Sequence, residues 1–407
     1  MSLKKPSYLD VLLSKNNNRE IDVEKLYEII QENEDNFIKV YPYQTIKTTE
    51  KTCWDSFKEI AYYLITCCYC CRCCEDGDEI EFPHFVGLKN VGNNCYLNAA
   101  IQILSRCSPF VFELLKYNYE NNELLRVFSD LIVTILFKKV KDCDPTEFIE
   151  CFTKLNKNFV FGRQNCSQDF IRTILRNIND SHPKKMYYNL YNAKKEDIKT
   201  YESFIQENKI FPESKAYSIF SGILKIQLYG ECSNCDEKLY CSSYNSFVDQ
   251  IIYLNSVSKK CYFSEVLRKN IGCENKAKIE CSKCKVKNNV KSISKFVKIP
   301  EIFIFTLERY LEPNKVPIIP DETINIYDLV DKSLHIKRKD CFYELLAVNI
   351  RIGNDLSFGH EICHIKENNN WYTINDNNIR IKDEEYYESS YGLFYRRIKK
   401  EIPIYEK

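Results

Sequence analysis

The stretch GLKNVGNNCYLNAAIQIL (87–104) places one cysteine between a loop rich in glycine and asparagine and an apolar segment. Apolar residues then recur at the i, i+3, i+4, i+7 spacing of a buried helical face: Leu97, Ala100, Ile101 and Leu104. This spacing predicts a helix that begins near Cys95 and buries one face. Asn93 or Asn94 stands where a residue could cap that helix.

A cysteine in the first turn of a helix lies at the positive end of the helix dipole, where the thiolate is favoured. The thiolate is the nucleophilic form, and Gly92 and Asn90 offer loop backbone and a side-chain amide that could stabilise an oxyanion. A second interpretation is that Cys95 is a small core residue, since free cysteine is among the most buried residue types. This stretch alone favours neither interpretation.

A cysteine nucleophile needs a base and a group that orients the base. Of five histidines, His360 stands in SFGHEICHIKENNNWYTINDNNI (357–379), where EICHI and WYTIND read as the two strands of a hairpin. Such pairing would bring Asn375 or Asp376 beside the imidazole, where either group could accept the ring N–H. Histidines without a supporting pattern are predicted to lie on the surface or in loops: His84, His182 and His335.

Two C-x-x-C pairs occur in ECSNCDE and ECSKCKV, and their cysteines are Cys232, Cys235, Cys281 and Cys284. Two such pairs in a cytosolic chain can clamp one tetrahedral zinc ion, each pair forming a tight knuckle between strands. Because 45 residues separate the pairs, this zinc site requires two hairpin tips at one end of an elongated sheet. Four unrelated thiols are the alternative.

The composition excludes several classes of protein. The 407 residues are 44% hydrophobic and 28% charged, as in soluble globular proteins, and the net charge of +1 gives no overall attraction to nucleic acid or acidic membranes. No apolar run approaches the length of a membrane span. The 21 cysteines follow no secretory signal, so we expect a reducing, cytoplasmic location, with the nucleus also compatible.

The chain divides by pattern into an N-terminal extension, residues 1–80, and a later domain. The extension contains a predicted helix at 23–40. Residues from 87 to about 205 read as mostly helical, and short alternating stretches from about 217 to 398 read as strands. Helices followed by strands indicate an α+β architecture.

Six cysteines crowd into residues 67–74, directly after the apolar run IAYYLIT (60–66). Adjacent thiols beside an apolar segment suggest reversible palmitoylation, and two or more acyl chains would attach the protein to a membrane. Metal binding and an oxidation-prone tether are the competing interpretations of Cys67–Cys74.

The segments around Cys95 and His360 resemble the cysteine and histidine boxes of the ubiquitin-specific protease family. In the cysteine box the matching residues are Gly87, Leu88, Asn90, Gly92, Asn93, Cys95, Tyr96, Asn98 and Gln102. In the histidine box they are Gly359, His360, Trp371, Tyr372, Asn375, Asp376, Tyr391, Leu393, Phe394, Tyr395 and Arg397. The resemblance implies that Cys95 is the nucleophile, Asn90 the oxyanion-hole amide, His360 the base, Asn375 the third triad member and Asp376 a helper.

Further matches extend the resemblance between these boxes. The family carries its zinc-binding C-x-x-C pairs in a fingers subdomain, preceded by the pattern F-x-G, here Phe220 and Gly222. The segment RQNCSQDFIRTIL (163–175) resembles a helix start whose acids meet arginines in the tail of ubiquitin. Gln164 and Asp169 are therefore implied substrate-binding residues. The alternative for Asp169 is an ordinary first-turn acid that the helix dipole favours.

Four positions depart from the family pattern. Cys166 replaces an acidic residue, Glu361 replaces an aromatic residue, and Arg351 stands where a second histidine is frequent. His364 falls at a usual tyrosine position, and we assign it a packing role.

The resemblance implies a papain-like cysteine protease fold in residues 87–398, with a thumb (about 87–210), zinc-bearing β fingers (about 211–299) and a palm (about 300–398). It implies a deubiquitinase with structural zinc, whose partners are ubiquitin and ubiquitinated proteins and not nucleic acid. Two alternatives are a protease for another ubiquitin-like modifier and a non-catalytic ubiquitin-binding scaffold.

Overall fold

The computed structural model describes residues 85–398, except 118, 120, 139, 186–212, 311–314, 333–335 and 354–358. Its described residues divide into two compact units, the first within 85–163 and 374–379, the second within 164–373 and 380–398. The predicted extension 1–80, its helix at 23–40 and the cysteines of 67–74 lie outside the described residues, as do His84 and His335.

The first unit is mainly helical, as its apolar periodicity predicted. Its elements are β1 (Gly87–Leu88), α1 (Cys95–Ser105), α2 (Ser108–Leu115), α3 (Glu123–Phe137), β2 (Asp142–Cys143) and α4 (Thr146–Leu155). Strands β1 and β2 pair in parallel. Helix α1 begins at Cys95 as predicted, but all of its residues are buried, not one face alone. Its polar residues are accommodated by hydrogen bonds, such as that from Gln102 Nε2 to the Val86 carbonyl at 2.7 Å.

The second unit opens with one long helix and continues mainly as strands. Its helices are α5 (Ser167–Ser181), α6 (Lys215–Ser218) and α7 (Phe263–Asn270). Its first strands are β3 (Lys184–Lys185), β4 (Glu213–Ser214), β5 (Gly222–Glu231), β6 (Lys238–Phe247), β7 (Asp249–Tyr253), β8 (Cys261–Tyr262), β9 (Asn275–Glu280), β10 (Lys287–Lys298) and β11 (Ile302–Glu308). Within the described residues no helix is both long and apolar enough to span a bilayer.

The remaining strands are β12 (Ile318–Ile319), β13 (Thr323–Asn325), β14 (Phe342–Ile352), β15 (His360–Glu367), β16 (Asn370–Asn375), β17 (Asn378–Ile381) and β18 (Ser390–Arg397). Most of these strands join one sheet, in the order β17-β16-β15-β14-β18-β11-β7, with β13 paired to β14. The predicted hairpin that begins at His360 is therefore confirmed. Asn368 and Asn369 make its turn with positive φ values of 48° and 65°, a conformation that asparagine tolerates.

A second sheet, in the order β6-β5-β10-β9, carries the C-x-x-C pairs at the tips of its two hairpins. This arrangement is the one that the sequence spacing required. Strand β10 has a register shift between Phe296 and Lys298 in its pairing with β5, and Phe296 belongs to the apolar core of the second unit. The Phe296 ring packs there against Phe247 and Phe303.

One local strand prediction is wrong. Tyr217 and Ser218, read as the start of a strand, lie in α6, because the Ser214 hydroxyl accepts a hydrogen bond from the Tyr217 N–H at 3.3 Å and caps a short helix. His182 lies in a loop directly after α5, as one of its two predicted placements, and it is buried there. Burial lowers the pKa of His182 to about 4, so its ring is neutral near pH 7.

His364 is buried on β15 and packs against the ring of Tyr386. Desolvation, followed by the nearby charge of Lys382, lowers the pKa of His364 to about 4. In the unfolded chain His364 has an ordinary histidine pKa of about 6.5, so it binds a proton more readily than in the folded chain. The stability that the neutral ring contributes is therefore complete above about pH 6.5 and is lost as the pH falls towards 4.

We expect His364→Gln to flatten the pH dependence of stability, because glutamine is neutral at every pH. The wild-type protein should lose up to about 3 kcal/mol of unfolding free energy from this group across that window. Urea unfolding of both proteins at pH 7.5 and pH 5 measures the difference. Equal losses in the two proteins would contradict the assignment.

Candidate active site

The loop before Cys95 is shaped by asparagine side chains. Asn94 directly precedes α1, but its side chain does not cap the helix. Its Oδ1 instead accepts a hydrogen bond from the Val91 N–H at 2.7 Å, and its Nδ2 donates to Asn98 Oδ1 at 2.9 Å. Asn93 has a positive φ of 54° and donates to the Gly162 carbonyl at 2.9 Å. Asn94 therefore holds the N-cap position, as predicted for one of the two residues, but neither side chain caps the helix, because both amides bond to the loop.

Asp376 accepts hydrogen bonds from three residues around Cys95, one each from β1, the loop and α1. Its backbone carbonyl accepts from the Leu88 N–H at 3.1 Å. One carboxylate oxygen accepts from Asn98 Nδ2 at 2.8 Å, and the other accepts from Asn90 Nδ2 at 2.9 Å. The helix that carries Cys95 and the loop that precedes it are thus held to one acidic residue from the far end of the chain.

The Asn90 amide is held at both ends. Its Oδ1 accepts from the Gly92 N–H at 3.2 Å while its Nδ2 donates to Asp376. The two partners fix which end is oxygen and which is nitrogen, because only Nδ2 can donate to a carboxylate. Asp376 uses one of the two N–H groups on Nδ2, so a second N–H is left to donate elsewhere.

Gly87 is required by a close backbone approach within the first unit. A Cβ atom at this position would lie 2.5 Å from the Asn377 Cα, closer than real Cβ contacts allow. Any side chain here would push away the segment 374–379, which carries Asp376. The sequence therefore has glycine at the start of the cysteine box because the Asn377 backbone packs directly against this position, not because the loop needs flexibility.

His360 begins β15 in the second unit, paired in register with Ile352 of β14. The preceding Gly359 lies against that strand, where an added Cβ would be 3.0 Å from the Ile352 carbonyl oxygen. Asn375 ends β16 and belongs, like Asp376 and Cys95, to the first unit. The pairing of His360 with Asn375 stays a prediction, whereas both carboxylate oxygens of Asp376 serve the cysteine loop.

The segment predicted to meet the ubiquitin tail forms the start of α5, with Gln164 half-buried and Asp169 exposed. The Asp169 carboxylate already pairs with Arg172 at 2.6 Å, and Arg172 in turn donates two hydrogen bonds to Asp249 at 2.7 and 2.9 Å. Cys166 is buried, with its sulfur 3.1 Å from the Tyr391 hydroxyl. Desolvation and the nearby Glu361 raise the pKa of Cys166 to about 11, so its thiol stays protonated.

The C-x-x-C cysteines converge in space. The four sulfur atoms of Cys232, Cys235, Cys281 and Cys284 all lie within 4.8 Å of one another, with closest separations of 3.4 to 3.7 Å. These separations exceed a disulfide bond of about 2.05 Å. The four cysteines are close enough to bind one metal ion, as the sequence spacing predicted.

The two knuckles share one backbone design. In the first, Asp236 has a φ of 52° and its N–H donates to the Cys232 carbonyl at 3.2 Å. In the second, Lys285 has a φ of 61° and donates to the Cys281 carbonyl at 2.9 Å. Backbone donation from Asn234 lowers the pKa of the Cys232 thiol.

Comparison with known protein families shows which family this chain belongs to. Residues 86–395 match the family model described as ubiquitin carboxyl-terminal hydrolase. This chain belongs to that family. The match spans both units and includes the cysteine box, the C-x-x-C pairs and the histidine box.

Two relatives of this hydrolase are similar to it over most of their length. Ubiquitin carboxyl-terminal hydrolase 12 of Salmo salar is 25% identical over 339 residues, which cover 78% of this chain and 88% of the relative. Ubiquitin carboxyl-terminal hydrolase 4 of Arabidopsis thaliana is 24% identical over 343 residues, which cover 78% and 90%.

The family assignment confirms the predicted α+β, papain-like fold and the predicted enzyme class, a ubiquitin-specific cysteine protease with deubiquitinase activity. It does not favour the alternatives of another modifier or a non-catalytic scaffold. The positioning roles of Asn94 and Asn98 did not follow from the sequence. The run of asparagines on either side of Cys95 was the available signal, since amides of this kind bond readily to nearby backbone.

Proposed function

We propose that this hydrolase cleaves the peptide or isopeptide bond after the C-terminal glycine of ubiquitin, with Cys95 as nucleophile. Cys95 is the first residue of α1, and the family motif implies its sulfur as the nucleophile. Sulfur bonds to the carbonyl carbon, and the bond to the departing amine breaks as His360 gives that amine a proton. Water activated by His360 then hydrolyses the thioester, which frees the thiol and the ubiquitin carboxylate.

The observation that carries this proposal is the fixed Asn90 amide, held between the Gly92 N–H and the Asp376 carboxylate. A donor that is oriented before the reaction stabilises the developing oxyanion without reorganisation. We assign Asn375 to orient His360, as the family motif implies, and Asp376 to position Asn90 and Asn98 instead of touching the substrate.

We expect Asn90→Ala to lower kcat by about 10²- to 10³-fold while KM changes little, because one oxyanion donor is lost. Asp376→Ala should approach the same loss, since the amide is no longer held. Initial rates on di-ubiquitin across a concentration series separate kcat from KM.

Lys89→Ala is the matched control for this prediction, since it alters the neighbouring side chain and keeps the Lys89 carbonyl that Asn98 contacts. Its kcat should stay within about threefold of wild type. A wild-type kcat in Asn90→Ala would remove Asn90 from the oxyanion hole.

We further propose that Gln164 and Asp169 contact the tail of ubiquitin. The Asp169 side chain is 52% exposed although it pairs with Arg172. A carboxylate has about four lone-pair sites, so the pair leaves Asp169 able to accept from a substrate arginine as well.

We propose zinc as the ion of the cysteine site. Four thiolates at a Zn–S distance of about 2.3 Å form a tetrahedron with sulfur separations of about 3.8 Å. The closest sulfur separations of 3.4 to 3.7 Å fit that figure. When bound, zinc would supply structural cross-linking of the two hairpin tips, and the four-cysteine set leaves no open position for catalysis.

The division into thumb, fingers and palm, the cytoplasmic location and membrane attachment through palmitoylated Cys67–Cys74 are further proposals. They rest on the sequence pattern and the family resemblance.

A further inference from the structure

Glu361 places a carboxylate in the protein interior directly after His360. Arg351 faces it across the β14–β15 pair, one register position from the Ile352–His360 pair. Both side chains are fully buried, with 0% exposure each, and Arg351 Nη1 donates to Glu361 Oε1. A charge pair without solvent access therefore adjoins the proposed base.

This pair is bonded to the start of α5 within the same unit. Arg351 Nη1 also donates to the Asn165 carbonyl at 3.1 Å. The second carboxylate oxygen of Glu361 accepts from Asn349 Nδ2 at 2.9 Å, and the same amide donates to the Ser167 hydroxyl. Two sets of hydrogen bonds thus connect the beginning of β15 to residues 165–167. These residues lie next to the segment that we propose binds the tail of ubiquitin.

The free energy of burying the two charges indicates that the pair orients neighbouring segments more than it stabilises the fold. Desolvating two charges costs several kcal/mol per ion, and buried ion pairs are often no more stabilising than apolar residues of similar size. A guanidinium, however, is a rigid planar donor fork, and its direction is fixed by its acceptors. Here the acceptors lie on β15 and before α5, and the Tyr310 ring lies 5.7 Å from the Arg351 Cζ.

We propose that Arg351 and Glu361 are positioning residues that hold the His360 end of β15 in register with the tail-binding start of α5. The inference rests on the proposed role of His360 as base. The pair acts through the position of His360 and makes no contact with the reacting atoms, so it affects kcat more than KM.

The decisive variant is Arg351→Met combined with Glu361→Leu, which removes both charges and keeps apolar bulk. We expect its Tm to stay near that of wild type, because no charge is left buried alone. We expect its kcat on di-ubiquitin to fall at least about tenfold with KM within about twofold, because a displaced base is costly even at 1 Å. A pair that served stability alone would leave kcat unchanged, and that result would overturn the proposal.

The matched control is Lys225→Met with Asp331→Leu, which removes a half-buried ion pair of 2.9 Å elsewhere in the same unit. It should keep wild-type kcat. His360→Ala separates the two hypotheses: if it retains activity, the proposed function fails, whereas if it abolishes activity and the apolar double variant keeps wild-type kcat, only the positioning role fails.

Should the double variant not fold, Ser167→Ala tests the same link. It removes the hydroxyl that joins Asn349 to the start of α5 and leaves the ion pair intact. A kcat reduced about threefold or more at unchanged Tm supports the proposal, and an unchanged kcat overturns it.

Discussion

Cys95→Ser should lower kcat/KM for cleavage of di-ubiquitin by about 10⁴-fold or more. A serine hydroxyl at the start of α1 has nearly the same size as the thiol but is a much weaker nucleophile than a cysteine sulfur. The same substitution should abolish covalent capture of a ubiquitin that bears an electrophilic C-terminus. Intact-protein mass spectrometry measures the adduct directly.

Cys107→Ser is the matched control for this experiment. Cys107 is buried just beyond the other end of α1, and its sulfur lies 3.4 Å from the Ile103 carbonyl, a contact that a hydroxyl can keep. This variant should react with the ubiquitin probe at the wild-type rate. If the adduct still forms in Cys95→Ser but not in Cys107→Ser, Cys107 is the nucleophile and the proposed mechanism is wrong.

Cys281→Ser should release the metal ion and destabilise the sheet that carries the four cysteines. Structural zinc binds with about 10 to 16 kcal/mol of free energy in small zinc domains, more than the whole stability of many proteins. The hairpin tips hold few other buried residues, chiefly Leu239 and Val290. We therefore expect local unfolding of these tips, measured as lost amide protection, together with a zinc content below one ion per chain.

Cys241→Ser provides the comparison, since Cys241 is exposed on β6 and stands outside the four-cysteine cluster. It should retain one zinc ion and wild-type amide protection. Wild-type protein purified without any bound zinc, or equal protection in the two variants, would refute a structural zinc site.

Several features were predictable from the sequence because each depends on residues close in the chain. Apolar spacing placed the start of α1 at Cys95, and the alternation around His360 predicted the β15–β16 hairpin. The C-x-x-C pairs predicted knuckles at hairpin tips. Prediction failed where two local conformations compete. The Ser214 hydroxyl caps a short helix that includes Tyr217, and the asparagine side chains before α1 bond to the loop instead of capping that helix.

Pairings between distant residues came only from the tertiary structure. Asn90 and Asp376 are 286 positions apart, and no periodicity links them, yet their hydrogen bond fixes the proposed oxyanion donor. Sequence comparison marked Arg351 and Glu361 as two separate departures from the family, whereas the register of β14 and β15 makes them one buried ion pair.

The sequence by itself predicted most of the elements and the convergence of four cysteines, and it marked Cys95 and His360 as the proposed nucleophile and base, because these depend on residue chemistry and local spacing. The tertiary structure decided which side chains orient them. Burial and hydrogen-bond partners are set by segments that meet only after folding, so Asp376 became an anchor for the cysteine loop and Arg351 a neutralising partner for Glu361.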